Sequence, residues 1–401
     1  MIGNLMWSSI SFLLRLLSNI IIFFLIAKEY GPEKFGYFST LVLYATTTTL
    51  LSDLGTHQRL YKEISIEGND VKFIHSLKLV FVTASLLIST LCSAFSGSLE
   101  ILLVIISYIA NGYIDFIQIR LRAKAEFRKE AFSALINNIV FFSITATTLY
   151  FSESILVLSI SFLLARIISI ILMIYFLRID SYKYWVEILS SLNLNLKSRV
   201  GKKNESQVYY SIDFLLTNLW TIIDSLVVKI FFNIFIFGLY SSYSRIINGI
   251  SSISVIFTNV VFKNIARDAT AKKNRNLTIG TLILFAGGGV CFLLLYLSHR
   301  VLVQKILGNE YLEYAIYLPY MFIPIWLKWI SSCLGIYLLG AGGVKKRVFA
   351  QATSLVVFMI IFMLGYKLGY TVEAVITSLS ISYIVILLFY FKYFMDHKNE
   401  N

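Results

Sequence analysis

Residues 5–27 read LMWSSISFLLRLLSNIIIFFLIA, and Arg15 is the one charge in the run. A hydrocarbon core of about 30 Å is crossed by roughly 20 apolar residues in an α-helix, so this segment has the length of a membrane span. It is too long for the apolar part of a secretory leader, and no small-residue cleavage site follows it. It is therefore expected to be the first transmembrane helix. Runs of the same kind recur at 36–57, 75–96, 100–120, 132–151 and 154–177, and, after a polar stretch, at 208–232, 236–262, 276–297, 312–339, 348–366 and 372–394. The expected fold class is all-α integral membrane, with about twelve transmembrane helices in two six-helix bundles. The boundaries that follow are 1–177 for the N-terminal bundle, 178–206 for a linker, and 207–401 for the C-terminal bundle with a short tail.

The composition agrees. Of 401 residues 58% are hydrophobic and 14% charged, and a mean hydropathy of +0.77 excludes an ordinary soluble chain. The net charge is +13, which in a soluble protein would raise the question of nucleic acid. Here the charges sit in short islands between spans, so they are topological rather than nucleic-acid-binding. Lys and Arg concentrate in alternate loops and the C-terminal tail, 25 of them against six on the opposite side. By the positive-inside rule both termini are expected to be cytoplasmic. Every outward loop is short, which leaves no extracytoplasmic domain for chemistry. In the linker, Trp185, Ile188, Leu189 and Leu192 recur at helical spacing beside Lys183 and Glu187, as in a helix lying on the membrane surface or a simple connector.

The two halves resemble each other. Phe35-Gly36-Tyr37-Phe38-Ser39 opens the second run, and Phe237-Gly238-Leu239-Tyr240-Ser241 opens the eighth. Ile119 to Phe132 aligns without gaps on Ile336 to Phe349, with Arg128-Lys129 over Lys345-Lys346. Internal repeats of this kind are common in transporters. Six helices separate the copies, so the repeats are expected to be parallel.

Eight ionisable residues fall inside the apolar runs: Arg15, Asp53, Asp115, Arg166, Asp213, Asp224, Arg245 and Lys328. Each costs about 2.5–3.5 kcal/mol at a helix centre on insertion scales, so each should pair, face the bundle interior or line a watery cavity. Arg15, Arg166 and Lys328 lie near mid-depth, whereas Asp53, Asp115 and Asp213 lie toward the basic side. A mid-depth cationic cavity suits an anionic group, and Arg is fitted to phosphate. The competing expectation is that these cations pair with the aspartates or with Asn137, Asn138, Asn218 and Asn248. Asp224 and Arg245 flank one turn and are expected to form an ion pair; the acids could alternatively serve as coupling sites. Thr46 to Thr49 are expected to bond their own helix. Gly287-Gly288-Gly289 should permit close helix approach, and Pro319 and Pro324 should kink the tenth run near Lys328. Cys92, Cys291 and Cys333 all fall in apolar runs, and the four histidines are scattered. No disulfide framework, metal cluster, nucleotide loop or Ser/His/Asp spacing is present, so neither an enzyme nor a cofactor is expected.

The first span, followed by Ala27-Lys28-Glu29-Tyr30-Gly31-Pro32-Glu33-Lys34-Phe35-Gly36-Tyr37-Phe38-Ser39 and then Ser52-Asp53-Leu54-Gly55, resembles the N-terminal signature of the polysaccharide exporter family of the MOP superfamily, the Wzx-type flippases of O-antigen and capsule repeat units. The second Phe-Gly stretch is similar to that family's second-half counterpart. The resemblance implies two bundles around a central cavity, alternating access, and an undecaprenyl-pyrophosphate-linked oligosaccharide as cargo in lipopolysaccharide or capsule biosynthesis. It also implies polymerase and chain-length proteins of the same pathway as possible partners. Arg15, Arg166 and Lys328 would then face pyrophosphate or acidic sugars. Two alternatives stand beside it. One is a cation-coupled exporter of small drugs from the same superfamily, which would need a deep acid. The other is a membrane polysaccharide polymerase, which usually carries a large catalytic outer loop.

Overall fold

The computed structural model describes residues 2–57, 60, 64, 71–124, 126–177, 205–270 and 275–399. Within them the chain is helical throughout. The first group is α1 (Ile2–Asp53), α2 (Val71–Ser96), α3 (Leu99–Ala123), α4 (Phe127–Phe151) and α5 (Ile155–Leu177). The second is α6 (Glu205–Leu219), α7 (Ile223–Phe231), α8 (Ile234–Thr270), α9 (Arg275–Ile306), α10 (Tyr317–Gly340), α11 (Val344–Lys367) and α12 (Val372–Asn399), with a 3₁₀ turn at Asn309–Tyr311. The surface helix expected around Trp185 and the loop charges Arg59, Lys62, Lys272 and Lys273 lie outside the described residues.

Among the described residues eight helices are long and apolar enough to cross a bilayer, or nine if the bent pair α6–α7 is one span. The remaining expected spans fall within α1 and α8, which are 52 and 37 residues long. The fold is thus an all-α, multi-pass membrane architecture. Two boundaries differ from expectation. The first two runs emerge as one helical stretch broken at Gly31, whose φ of 70° and ψ of 173° only glycine adopts without strain, with Pro32 opening the next turn. The run 208–232 is interrupted, α6 and α7 meeting at 51°.

The chain divides into two compact units. One comprises Met1–Tyr30 with Tyr37–Gln207, the other Gly31–Gly36 with Val208–Asn401. In the first unit α5 packs along α3 and α4, and its core is a column of rings. Phe162 stands edge-on to Phe38 at 5.4 Å and to Phe141 at 4.8 Å. Thr46, Thr47, Thr48 and Thr49 each donate to the carbonyl four residues back, so the four hydroxyls are satisfied within one turn. In the second unit α10 is central, packing against α8, α9 and α12. Leu282, Leu293, Leu294 and Leu297 of α9 are exposed, as suits a helix whose solvent is lipid. Apolar burial does not drive helices together in lipid, so close packing must do so. Gly288 supplies it: a Cβ there would overlap the indole of Trp326, which donates to the Phe285 carbonyl at 3.0 Å. Pro319 falls in the first turn of α10 and Pro324 inside it, and the helix runs on through both.

The repeated Phe-Gly stretches acquire a physical reason in the second unit. A Cβ on Gly36 would overlap the carbonyl oxygen of Ile234 and lie 3.1 Å from the nitrogen of Gly238; a Cβ on Gly238 would overlap the carbonyl of Pro32 and lie 3.0 Å from the nitrogen of Gly36. The two glycines therefore meet backbone to backbone, an approach that a side chain on either would prevent. Phe35 and Phe237, their neighbours, are both buried.

Candidate functional site

The break between α6 and α7 positions the site. Inside a bilayer an interrupted helix must satisfy its freed backbone groups locally. Here the amides of Thr221 and Ile222 donate to the Asn218 and Leu219 carbonyls at 3.0 and 3.1 Å. The Thr221 hydroxyl also donates to the Asn218 carbonyl at 2.6 Å, and the Asn218 amide donates back to the Phe214 carbonyl at 2.8 Å. The turn presents Trp220 at one end and Asp224, in the first turn of α7, at the other.

Asp224 opens on a cavity of about 40 Å³ whose lining includes Tyr240 and Asn248 of α8, Lys328 of α10 and Tyr383 of α12. The Tyr240 hydroxyl donates to Asp224 Oδ2 at 2.7 Å, and Lys328 lines the same cavity as this carboxyl group. A second cavity of about 190 Å³ lies along the same helices toward the basic end, lined among others by Thr217, Lys328, Arg347, Gln351 and Tyr390. Trp220, Lys328 and Tyr383 line both cavities. Arg347 Nε lies 3.0 Å from Asp213 Oδ1, although the N–H is not aimed at it, so this is a charge contact rather than a linear hydrogen bond. Gln351 Nε2 reaches Asp213, Thr217 and Tyr390 at 3.3–3.4 Å. Expected toward the basic end of its run, Asp213 is thereby tied to the start of α11.

The first unit treats its cation differently. Arg166, 7% exposed, donates from Nη1 to Asn137 Oδ1 at 2.8 Å, and its guanidinium lies 3.8 Å from the centroid of Phe141. Asn137 donates to Asn111 at 3.4 Å, and Asn111 to Asp115 at 3.3 Å. An amide relay thus runs from α5 through α4 to the acid on α3. Asp53 is also enclosed, with Thr56 at 2.6 Å, His57 at 3.1 Å and Lys78 at 3.4 Å. Arg15 lies on α1, and its side chain is outside those described. Arg245 is half-buried on α8. Among the described residues no three His, Cys, Asp or Glu side chains converge as a metal set would.

Sequence reasoning assigned Arg347 and Arg122 to basic loops. The structure instead sets Arg347 against Asp213, and Arg122 within 2.5 Å of Glu130, which is fully buried. It also brings in Trp220, Tyr240, Gln351 and Tyr383, whose residue types are too common in apolar runs to stand out. The interruption at Asn218–Ile222 could be sought in the sequence only as a polar pair, Thr217-Asn218, in mid-run.

No family model and no curated protein sequence matches the chain. Solved structures do match. An inward-facing multidrug-resistance transporter of the MATE family and MOP superfamily is 13% identical over 96% of each chain, with a TM-score of 0.70. The lipid II flippase MurJ in an inward closed conformation is 16% identical over 99% of this chain and 90% of its own, with a TM-score of 0.66. A mutant of the MATE transporter VcmN of Vibrio cholerae is 13% identical over 98% and 97%, with a TM-score of 0.64. At such identities the likeness establishes the fold alone, which these transporters and this flippase share with the chain.

Proposed function

We propose that the chain is a flippase that moves undecaprenyl-pyrophosphate-linked oligosaccharide repeat units, of the O-antigen or capsule kind, from the cytoplasmic to the outer leaflet of a bacterial inner membrane, where both of its own termini are cytoplasmic. The observation that carries the reading is Lys328, a cation in the middle of an apolar helix that lines two neighbouring cavities. A headgroup bearing phosphate and sugar hydroxyls cannot cross hydrocarbon unaided. It needs a polar, positively charged route, while its lipid tail can stay in the bilayer. The fold shared with MurJ and the Phe-Gly signature support the same reading. The two repeats would alternate access by rocking, with no covalent chemistry and no cofactor. Polymerase and chain-length proteins would take the product on the far side.

A specific observation also supports the second reading, an exporter of small molecules driven by a cation. Asp224 is an acid at a helix break, bonded to Tyr240 and lining a cavity, an arrangement used for coupling ions in discontinuous helices. Deletion of the gene separates the two. Loss of long-chain surface polymer, with complete lipid-linked units accumulating on the cytoplasmic side, is the expected result. Normal polymer with altered drug sensitivity would reject the flippase reading in favour of the exporter.

A further inference from the structure

The 190 Å³ cavity in the second unit is built unlike a void left by imperfect packing. Its lining carries two basic side chains, Lys328 and Arg347, and Asp213, which Arg347 contacts, is not part of that lining. Two residues of this lining each carry a buried polar atom with no protein partner among the described residues: the indole N–H of Trp220, a residue 6% exposed, and the amide oxygen of Gln351, a residue 5% exposed. Native interiors seldom leave such atoms unmatched, and each has a definite complement. A Trp N–H can only donate, so it asks for an acceptor; an amide oxygen asks for a donor. The Ser331 and Ser332 hydroxyls already donate to the Lys328 and Trp329 carbonyls at 2.9 and 2.6 Å, which leaves them as acceptors. The rest of the lining includes the rings of Trp220, Tyr383 and Tyr390 beside Ile336 and Ile386, the first two rings with centroids 5.3 Å apart. Two cations and an orphan donor match an anion. An orphan acceptor among aromatic rings matches a sugar hydroxyl.

We infer that this cavity inside the C-terminal unit is a binding subsite for a phosphorylated sugar, its phosphate between Lys328, Arg347 and the Trp220 N–H and a hydroxyl of the sugar on Gln351. The inference rests on the flippase reading for its biological source, the phosphate-linked first sugar of the cargo, but the chemistry applies equally to a soluble sugar phosphate.

Calorimetric titration of the purified full-length chain in lipid nanodiscs with glucose 1-phosphate, glucose and inorganic phosphate tests it. Glucose 1-phosphate should bind in preference to either half. Trp220→Phe and Lys328→Met should each weaken it about tenfold or more, as loss of a charge-assisted or buried donor does. Gln351→Leu should remove the preference for glucose 1-phosphate over phosphate while phosphate still binds. If any of these variants melts below wild type, Gln351→Glu replaces it: a carboxylate of the same size should repel the anion and abolish binding. Competition by a prenyl-linked sugar phosphate in the nanodisc bilayer would identify the lipid-borne source, and its absence the soluble one. No binding to wild type, or equal binding to variants that melt as wild type does, overturns the subsite. The function is read separately in the deletion strain. Polymer lost on deletion and fully restored by all three variants overturns the subsite and leaves the flippase. Sugar-phosphate binding that the variants weaken, in a strain whose polymer survives deletion, keeps the subsite and rejects the flippase.

Discussion

Arg166 in the first unit and Lys328 in the second are both cations placed in the middle of apolar helices, and by depth alone they are equivalent. Their surroundings are not. Arg166 is held by the Asn137 amide at 2.8 Å, lies over the Phe141 ring, and is linked through Asn111 toward Asp115. Lys328 stands on the wall shared by two cavities, with Asp224 across the smaller one and unmatched groups around the larger. A buried charge is therefore an ambiguous sign of function. The state of its neighbours separates a brace, where every partner belongs to the protein, from a ligand site, where the partners are incomplete.

The sharpest way to break this contrast is Arg166→Met. Removing the guanidinium leaves the buried Asn137 amide oxygen unsatisfied and the Phe141 ring uncovered, at a cost of about 1–3 kcal/mol for the stranded acceptor alone. A large fall in the melting temperature in detergent, with lost expression, is expected. A variant that melts normally but no longer supports polymer export would place Arg166 among the ligand groups and erase the difference. Next is Gly238→Ala, where the new methyl meets the Pro32 carbonyl. Overpacking of this kind costs about 1–3 kcal/mol, so a lower melting temperature with Gly36→Ala behaving alike is expected, and a neutral pair would show that the close backbone contact is dispensable. Lys328→Met should lower stability less than Arg166→Met, since Asp224 keeps Tyr240, and should abolish export. Adding Asp224→Asn should restore part of the stability, by about 0.5–3 kcal/mol of coupling; strict additivity in melting curves would argue against the pair. The smallest effect belongs to Tyr240→Phe, which removes one hydrogen bond worth about 1 kcal/mol. Export with an unchanged pH profile is expected of it, whereas a shifted profile would favour Asp224 as a coupling site.

Much of the architecture was legible because its cause is one-dimensional. The bilayer demands about 20 apolar residues per crossing, and that demand is written consecutively, so residues 75–96, 100–120 and 348–366 correspond closely to α2, α3 and α11. The Phe-Gly repeats were visible as well, although their reason, the meeting of Gly36 with Gly238, is a contact across 202 positions of sequence. The break at Asn218–Ile222 was hidden, because Leu, Trp, Thr and Ile read as an uninterrupted apolar run whether or not the helix bends. The site was legible only in outline. Lys328, Asp224 and Asp213 stand out as charges in hydrophobic surroundings, but Arg347 follows two lysines and looks like one more topological charge.

By itself, then, the sequence determined a helical membrane protein with a recurring Phe-Gly stretch and a set of costly internal charges, because hydropathy, period and charge distribution are local quantities summed along the chain. Only the tertiary structure decided which charges are consumed by neighbours and which face a cavity. That depends on Asp213 meeting Arg347 and on Trp220 meeting Tyr383, pairs more than 130 positions apart in the sequence. In a low-dielectric interior such pairings, together with the cavities beside them, bear on whether a charge is structural or available to a ligand.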